Sequence, residues 1–487
     1  MPSEPMRIGS FGMRRFEVME PKNADAIHAN SLKLLETMGI KVVSDEGRRL
    51  LKEAGAEVDE KTKVAKIPGS LVNESMKKCP HEFKMAARNP KNDFVLDGKH
   101  CYACTDGVGL ATIDLETGER RGSTLKDVAD SARIVDALPM MHMYNPLVTP
   151  LEVPKHAHTI HEFMVSLENC EKHFTTGSTY QREEAMYELR MAAAVVGGMK
   201  ELRRRPIISN LTCTTSPLVL GMTTDAAIEF SRAGCPPLLM AMPLVGATAP
   251  MTVAGATLLG NAQVIALATV LQLAAPGSPL CYSTEPMAMD VQSGLFEGLY
   301  PAADMVRAAH VQMAKHYNIP IFVGGWGTCS KVPDVQAGYE KAFSAFLCYL
   351  SGADMTSGPG LLENWTVLSF EQLIIDHEMF TMMADILKGF PVDADSMPME
   401  VIMKVGHEGH YMGEKHTLDH FRQMWQPMVT DGQPYKVWKA AGSKSAVEHA
   451  REKAKEILRT HKTEPLAADL KKELEGLVSE GEKNLPH

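Results

Sequence analysis

Leu280-Cys-Tyr-Ser-Thr-Glu285, a helical stretch over 302–315, Ile319-Pro-Ile-Phe-Val-Gly324, a second helical stretch over 335–350, then Asp354-Met-Thr-Ser357: this run decides the fold. Each short apolar segment reads as a strand buried on both faces, and each is followed by an amphipathic helix. That alternation implies a parallel sheet covered by helices. Moving outward toward the N-terminus, the same beat places strands at 142–147, 173–177, 207–212 and 238–242. Helices are expected between them at 155–168, 182–196, 223–233 and 252–273, and a further helix at 369–387 follows the last segment quoted. An eighth strand at 401–405 would close the set as a (β/α)8 TIM barrel, an α/β fold.

Three regions result. Residues 1–122 read as an N-terminal, mainly helical extension with small hairpins between 83 and 115, where Asn-Pro, Asp-Gly and Thr-Gly turns interrupt short apolar alternations. Residues 123–441 form the (β/α)8 barrel catalytic domain. Residues 442–487 form a charged C-terminal helical tail, read as solvated or as packing against another subunit. A homo-oligomer is therefore expected, held through 437–458 and the last helix.

Composition narrows the function. The chain has 487 residues, 45% hydrophobic, enough for a large core, which excludes a disordered or fibrous protein. The net charge of −10 without any long basic stretch makes nucleic acid an unsuitable partner. Nine cysteines, an odd number and several among apolar neighbours, suit a reducing, cytoplasmic setting. The opening has no apolar leader, and the longest apolar run, 264–275, contains Gln272 and is too short for a bilayer. Neither secretion nor membrane insertion is expected.

In such a barrel, reacting groups sit where strands end. Those ends are polar here: Asn210 and Thr212, Tyr282 to Glu285, and Trp326 after Gly324-Gly325. Glu285 could orient a cation or act in acid–base work. Trp326 offers an aromatic face, with glycines giving it room, and such a face attracts quaternary ammonium groups. Singly, each polar residue could equally satisfy a loop backbone.

His156 and His158 with His161 suggest a zinc-dependent barrel hydrolase, but Pro154 begins a helix there and the spacing turns the first two to different faces. His407-Glu-Gly-His410-Tyr411 is better suited to holding an anion than a metal. No GxxxxGK[ST], GxGxxG or GxSxG motif is present, and Cys101-Tyr-Ala-Cys104 stands alone. No metal and no nucleotide is expected.

The run from Gly324-Gly-Trp-Gly-Thr-Cys-Ser-Lys-Val-Pro-Asp to Gly-Tyr-Glu-Lys341, the segment Leu368-Ser-Phe-Glu-Gln-Leu-Ile-Ile-Asp376, and Gly406-His-Glu-Gly-His-Tyr-Met-Gly413 resemble the trimethylamine methyltransferase family. So does Leu35-Glu-Thr-Met-Gly-Ile-Lys-Val42. The resemblance implies a TIM barrel that moves a methyl group from an amine to the cob(I)alamin of a separate corrinoid protein, in methylotrophy linked to methanogenesis or acetogenesis. Archaeal trimethylamine enzymes of the family carry pyrrolysine, whereas this chain has ordinary residues throughout. It resembles the non-pyrrolysine branch, that of glycine betaine:corrinoid methyltransferase, with glycine betaine as the expected substrate. Proline betaine, carnitine, γ-butyrobetaine and trimethylamine are the alternatives, and a non-catalytic betaine-binding protein is a further one.

On this reading Trp326, Tyr282 and Glu285 hold the ammonium end. His407, His410 and Tyr411 anchor the carboxylate, ahead of the helical Arg307, and Asn210 and Thr212 line the pocket. No residue is assigned as catalytic. A quaternary nitrogen already carries its charge and departs as a neutral amine, so positioning and desolvation suffice.

Overall fold

The computed structural model describes residues 6–7, 15–177, 179–297 and 301–486. Eight parallel strands run β1 (His100–Cys104), β2 (Met143–Tyr144), β3 (His173–Thr176), β4 (Ile208–Cys213), β5 (Pro237–Ala241), β6 (Cys281–Thr284), β7 (Ile321–Gly324) and β8 (Met355–Ser357). β8 pairs back to β1, Met355 opposite Tyr102 and Ser357 opposite Cys104, so the sheet closes. The helices that follow are α1 (Leu125–Ala137), α2 (His158–Asn169), α3 (Arg182–Val196), α4 (Thr223–Ala233), α5 (Val253–Ala274), α6 (Pro301–His316), α7 (Val335–Ser351) and α8 (Phe370–Lys388). This is the (β/α)8 TIM barrel expected from the sequence.

Seven strands lie where the alternation placed them, and the eighth does not. Residues 401–405 belong to a helix, Met399–Val405. The closing strand is His100–Cys104, which precedes the expected barrel boundary at 123 and lies in the region read as hairpins. Asp-Gly turns on both sides disguised it. Its residues from Cys101 to Cys104 are all buried, which a half-exposed hairpin strand does not allow.

The side-chain period of two sorts every strand into two faces. Inward-facing Tyr102, Cys104, Met143, Leu211, Leu238, Met240, Cys281, Phe322 and Met355 form one apolar cluster. A hairpin, Phe83–Met85 paired with Phe94–Leu96, joins that cluster, and Tyr102 donates its hydroxyl to Val95 O at 3.0 Å. It closes the end from which the strands start. Outward-facing Ala103, Tyr144, Tyr282 and Val323 pack with the surrounding helices instead.

The loops after β1 and β8 join into a four-stranded sheet, and those after β5 and β6 into a three-stranded one. Both stand at the end where the strands finish and wall the mouth. Helix starts there are capped: Asp334 accepts the Ala337 N–H at 2.9 Å ahead of α7, and Ser369 accepts that of Gln372 at 3.2 Å ahead of α8. Each such cap contributes about 1 kcal/mol.

Among the described residues, α5 is the one helix long and apolar enough to cross a membrane by length and composition. It is buried inside the protein, between the barrel and the helices Pro21–Thr37 and Gly69–Met76 of the N-terminal region. Helices covered on all sides need no polar face. Its polar residues are partnered: Asn261 donates to Tyr317 and Ser31, and Gln263 donates to Pro217 O at 2.7 Å.

The tail helices Ala446–Thr460 and Ala468–Asn484 pack on their own barrel, the first against α8 and α1, the second against α3 and α2. Ala450, Ala454, Ile457, Leu474 and Val478 are buried there. The apolar side of the tail is thus already covered, and it does not provide the free surface expected for subunit packing.

Candidate active site

Glu285 follows β6 directly, two residues beyond inward-facing Ser283, so its side chain continues the inner face. One oxygen, Oε1, accepts from Arg307 Nη2 at 2.6 Å. Arg307 on α6 is fully buried, and it also donates to Asp304 Oδ1 at 2.6 Å and to Pro286 O at 2.9 Å. Ser344 on α7 donates to Asp304 at 2.6 Å and ties this helix pair together. The other oxygen, Oε2, is buried with no hydrogen-bond partner among the described residues. It fills the space beside Gly324, where a Cβ would fall 1.0 Å from it. Glycine at the end of β7 is therefore a requirement of the carboxylate beside it.

Asp106 enters the same mouth from β1, two residues beyond inward-facing Cys104. Its Oδ2 accepts the Ser357 hydroxyl at 2.8 Å from the end of β8, and Oδ1 accepts the Gly107 N–H at 2.9 Å. Asn145, after β2, points its amide nitrogen at Oδ1 from 3.5 Å. Thr105 fixes that neighbour, accepting the Asn145 N–H at 2.8 Å and donating to Asn145 O at 2.7 Å.

The electrostatics follow from two carboxyl groups in one enclosed space. Burial raises Glu285 to about 7, against the pull of Arg307 and with a further push from Asp106. Burial likewise raises Asp106 above the ordinary carboxylate range. Between them, half-buried Cys213 at the end of β4 is pushed up to about 12, first by burial and then by Asp106 and Glu285. Its thiol is protonated at neutral pH and is no nucleophile. Among the described residues, no cationic side chain pairs with Asp106 to offset the second carboxyl.

Two further sets hold the mouth loops. Lys341 on α7 and Asp376 on α8, both fully buried, pair at 2.9 Å. Lys341 also donates to Gly358 O at 3.1 Å, and Asp376 accepts the Gly360 N–H at 2.7 Å, which pins the loop beside Ser357. Glu340 accepts from the Thr328 hydroxyl at 2.6 Å and the Cys329 N–H at 2.8 Å, fixing the loop after β7.

Comparison with known proteins assigns the chain. The family model described as trimethylamine methyltransferase (MTTB) matches residues 5–486. The chain belongs to the trimethylamine methyltransferase family. It is 35% identical to trimethylamine methyltransferase MttB of Desulfitobacterium hafniense (strain DSM 10664 / DCB-2), over 98% of this chain and 95% of that one. It is 32% identical to MttB of Methanosarcina barkeri (strain Fusaro / DSM 804), over 94% of each. It is 27% identical to glycine betaine methyltransferase of Desulfitobacterium hafniense (strain Y51), over 97% of this chain and 98% of that one.

In this methyltransferase, Glu285 is the residue chosen from the sequence that reaches the mouth. Tyr282 faces outward: its hydroxyl donates to Asn261 of α5 at 3.1 Å. Asn210 and Thr212 also lie on the outer face, in a hydroxyl and amide chain that continues through Thr176 and Thr179 to Glu188 of α3. Trp326 is fully buried behind the barrel wall, donating Nε1–H to Thr356 Oγ1 at 2.7 Å, and Thr356 in turn donates to Tyr349 of α7 at 2.5 Å. Its ring faces are taken by packing.

His407, His410 and Tyr411 are exposed, on a segment that leaves the barrel after α8. The histidines weighed for zinc do other work. His158 bonds Glu162 at 2.9 Å, while His156 and His161 hold Glu482 of the last helix at 3.0 and 2.8 Å. Among the described residues no three His, Cys, Asp or Glu side chains gather as a metal-holding set. Sequence reading missed Asp106, whose signal was its parity with Cys104, and gave Arg307 second place as an anion anchor when its partners are carboxylates.

Proposed function

We propose that the chain transfers a methyl group from a quaternary amine, glycine betaine foremost, to the cob(I)alamin of a partner corrinoid protein. The observation that carries this is the buried, unpartnered Oε2 of Glu285, at the mouth that Asp106 also enters. A quaternary ammonium cannot donate a hydrogen bond, so charge is the means by which a protein holds it. Two buried carboxyls supply that charge, Glu285 paired with Arg307 and Asp106 with no cationic partner among the described residues, and a bound cation would offset the burial that now raises both of them.

The bound corrinoid supplies the nucleophile, and the carbon–nitrogen bonding pair stays with nitrogen as the neutral tertiary amine leaves. This chain's own residues need to hold the ammonium, aim one methyl outward and exclude water. Asp106 and Glu285 bind, Ser357 and Arg307 orient them, and Met242 and Cys213 give the mouth an uncharged lining. The transfer itself requires no proton from the protein, which fits a mouth whose thiol stays protonated.

The second reading is trimethylamine, favoured by the names of the 35% and 32% identical relatives. The test incubates purified enzyme with a corrinoid protein in the cob(I) state and, separately, glycine betaine, proline betaine, carnitine, γ-butyrobetaine and trimethylamine, following corrinoid methylation by absorbance. Methylation from trimethylamine alone selects the second reading. Methylation from none of them overturns both.

A further inference from the structure

Residues 390–437, between α8 and the tail, invert the usual distribution of apolar surface. They make up a tenth of the chain, yet fourteen of the thirty-five exposed large hydrophobic side chains among the described residues lie there. Phe390, Met403, Met412, Leu418, Met424 and Tyr435 are each more than 60% exposed. The helices of this segment, Met399–Val405, Lys415–His420 and Tyr435–Ala440, have seven, six and six residues and no buried one. Helices so short are marginal in water without something to pack against.

Among the described residues, the segment's side-chain hydrogen bonds to the barrel lie where it returns. Trp425 donates to Thr381 Oγ1 at 3.0 Å, and the Glu378 carboxylate accepts the N–H groups of Val429 at 2.6 Å and Thr430 at 3.1 Å. Its charges are largely satisfied within itself: Lys404 pairs with Glu414 at 2.8 Å, and Lys415 with Asp419 at 2.5 Å. The exposed apolar side chains stand among further exposed charges, Glu400, Glu408, Arg422 and Lys436.

The barrel carries a matching face. On α7, Val335, Tyr339 and Phe343 stand at i, i+4 and i+8, at 84%, 59% and 68% exposure, and on neighbouring α8 Met382 and Ile386 continue the stripe. Exposed apolar side chains on two packed helices make a candidate interaction face.

We propose that residues 390–437 are an arm that clasps a second copy of this chain, lying on the α7/α8 stripe of that copy and receiving its arm in return. Area supports this occupant. At about 150–250 Å² per large side chain, with more than half exposed at most of them, the arm offers about 1,000 Å² or more of apolar surface. A standard interface takes about 800 Å² from each partner. Both complementary faces lie on one chain, as a two-fold interface requires. A protein that docks and leaves at each turnover would expose this surface between visits, whereas homodimer interfaces are the more apolar class.

The test is sedimentation of the full-length protein beside two charged variants, Met403→Glu/Met412→Glu on the arm and Tyr339→Glu/Phe343→Glu on α7. The expected result is a dimer, or a multiple of it, that falls to monomer in both variants while the circular dichroism of the barrel is kept. A monomeric parent protein at micromolar concentration, or an oligomer that neither variant weakens, overturns the proposal. Should a variant misfold, a photo-crosslinker at position 403 in the otherwise unchanged chain, mixed with isotope-labelled protein, gives the answer. Links to 335–343 between light and heavy copies support the clasp. Links confined to one copy, or to a different protein, overturn it.

Discussion

The barrel mouth and the arm break opposite rules. At the mouth, carboxyl groups are buried beyond what one arginine can balance. On the arm, large apolar side chains stand in water beyond what a surface tolerates. Each exception marks a place where something belongs: a cation at the mouth, apolar surface on the arm. A single exposed leucine says little, whereas a buried charge with a bare oxygen or a contiguous exposed patch is informative.

The sharpest contrast lies between two buried charge sets in the same end of the barrel. Lys341 and Asp376 form a closed pair whose remaining donors and acceptors are met by Gly358, Gly360 and Gln372. The Glu285 set is left open. If that distinction is sound, Lys341→Ala should cost stability outright, about 3–5 kcal/mol, because it strands a buried carboxylate. Lys341→Met/Asp376→Leu should recover most of that loss. Chemical denaturation of the three proteins checks it. Equal stability of the single variant and the parent protein would show that the pair is hydrated and that the contrast is false.

Glu285→Gln tests the open set. The amide keeps the size of the side chain but removes the charge meant for a cation, so affinity for a quaternary amine should fall by about tenfold or more, since two unit charges about 4 Å apart attract by about 1–4 kcal/mol between water and a protein-surface dielectric. Melting temperature should change far less than in Lys341→Ala. Calorimetric titration beside a melting curve separates the two effects. Asp106→Asn should act in the same direction, and an unchanged affinity in both variants would remove the acidic mouth from substrate binding.

Much of this was legible in the sequence, and the misses share a cause. Strand positions can be read because a strand buried on both faces is apolar throughout, as in Leu280 to Tyr282. Which face a residue takes cannot be read from its type. Tyr282 has the chemistry of a cation binder, yet Glu285 three positions later faces the mouth, and an odd separation along a strand puts the two on opposite sides. Trp326 lies beyond the end of β7, where the chain has already turned outward toward α7. His100–Cys104 was hidden by its flanking turns, and Asp106 was lost with it. Residues 401–405 are apolar for the sake of a surface that the alternation could not anticipate.

The pH dependence sharpens the mouth further, with a smaller effect. Glu285 titrates near 7 in the free protein, raised chiefly by burial. Above that pH it is ionised and attracts a cation. As pH falls through 7 it takes up a proton, and affinity should drop about tenfold for each unit below, one unit being worth about 1.36 kcal/mol. The same shift means that this group's contribution to folding stability is lost as pH rises from the ordinary carboxylate range through 7, and a bound cation should restore it. Binding near pH 6.5, about half a unit below the transition, should release about three-quarters of a proton, which calorimetry in buffers of differing ionisation enthalpy resolves. In Glu285→Gln both the slope and the proton release should vanish; a slope that persists would assign the titration to another group.

The smallest effect is expected at Trp326, and there the sequence and the structure disagree most directly. An indole face on the cation would contribute about 0.5–2 kcal/mol, so its loss would weaken binding by several-fold or more. In the structure the ring is fully buried, and Nε1–H donates to Thr356 within a chain that runs through Tyr349 to the Tyr102 carbonyl. Trp326→Phe keeps an aromatic face but removes that donor. Substrate affinity should then stay within about twofold, while stability drops by about 1 kcal/mol for the lost hydrogen bond and some further amount for the smaller ring. Titration and melting curves on this one variant decide between the two placements. Weakened binding with an unchanged melting temperature would put the indole in the mouth after all, and the acidic pair would then share the cation with an aromatic wall.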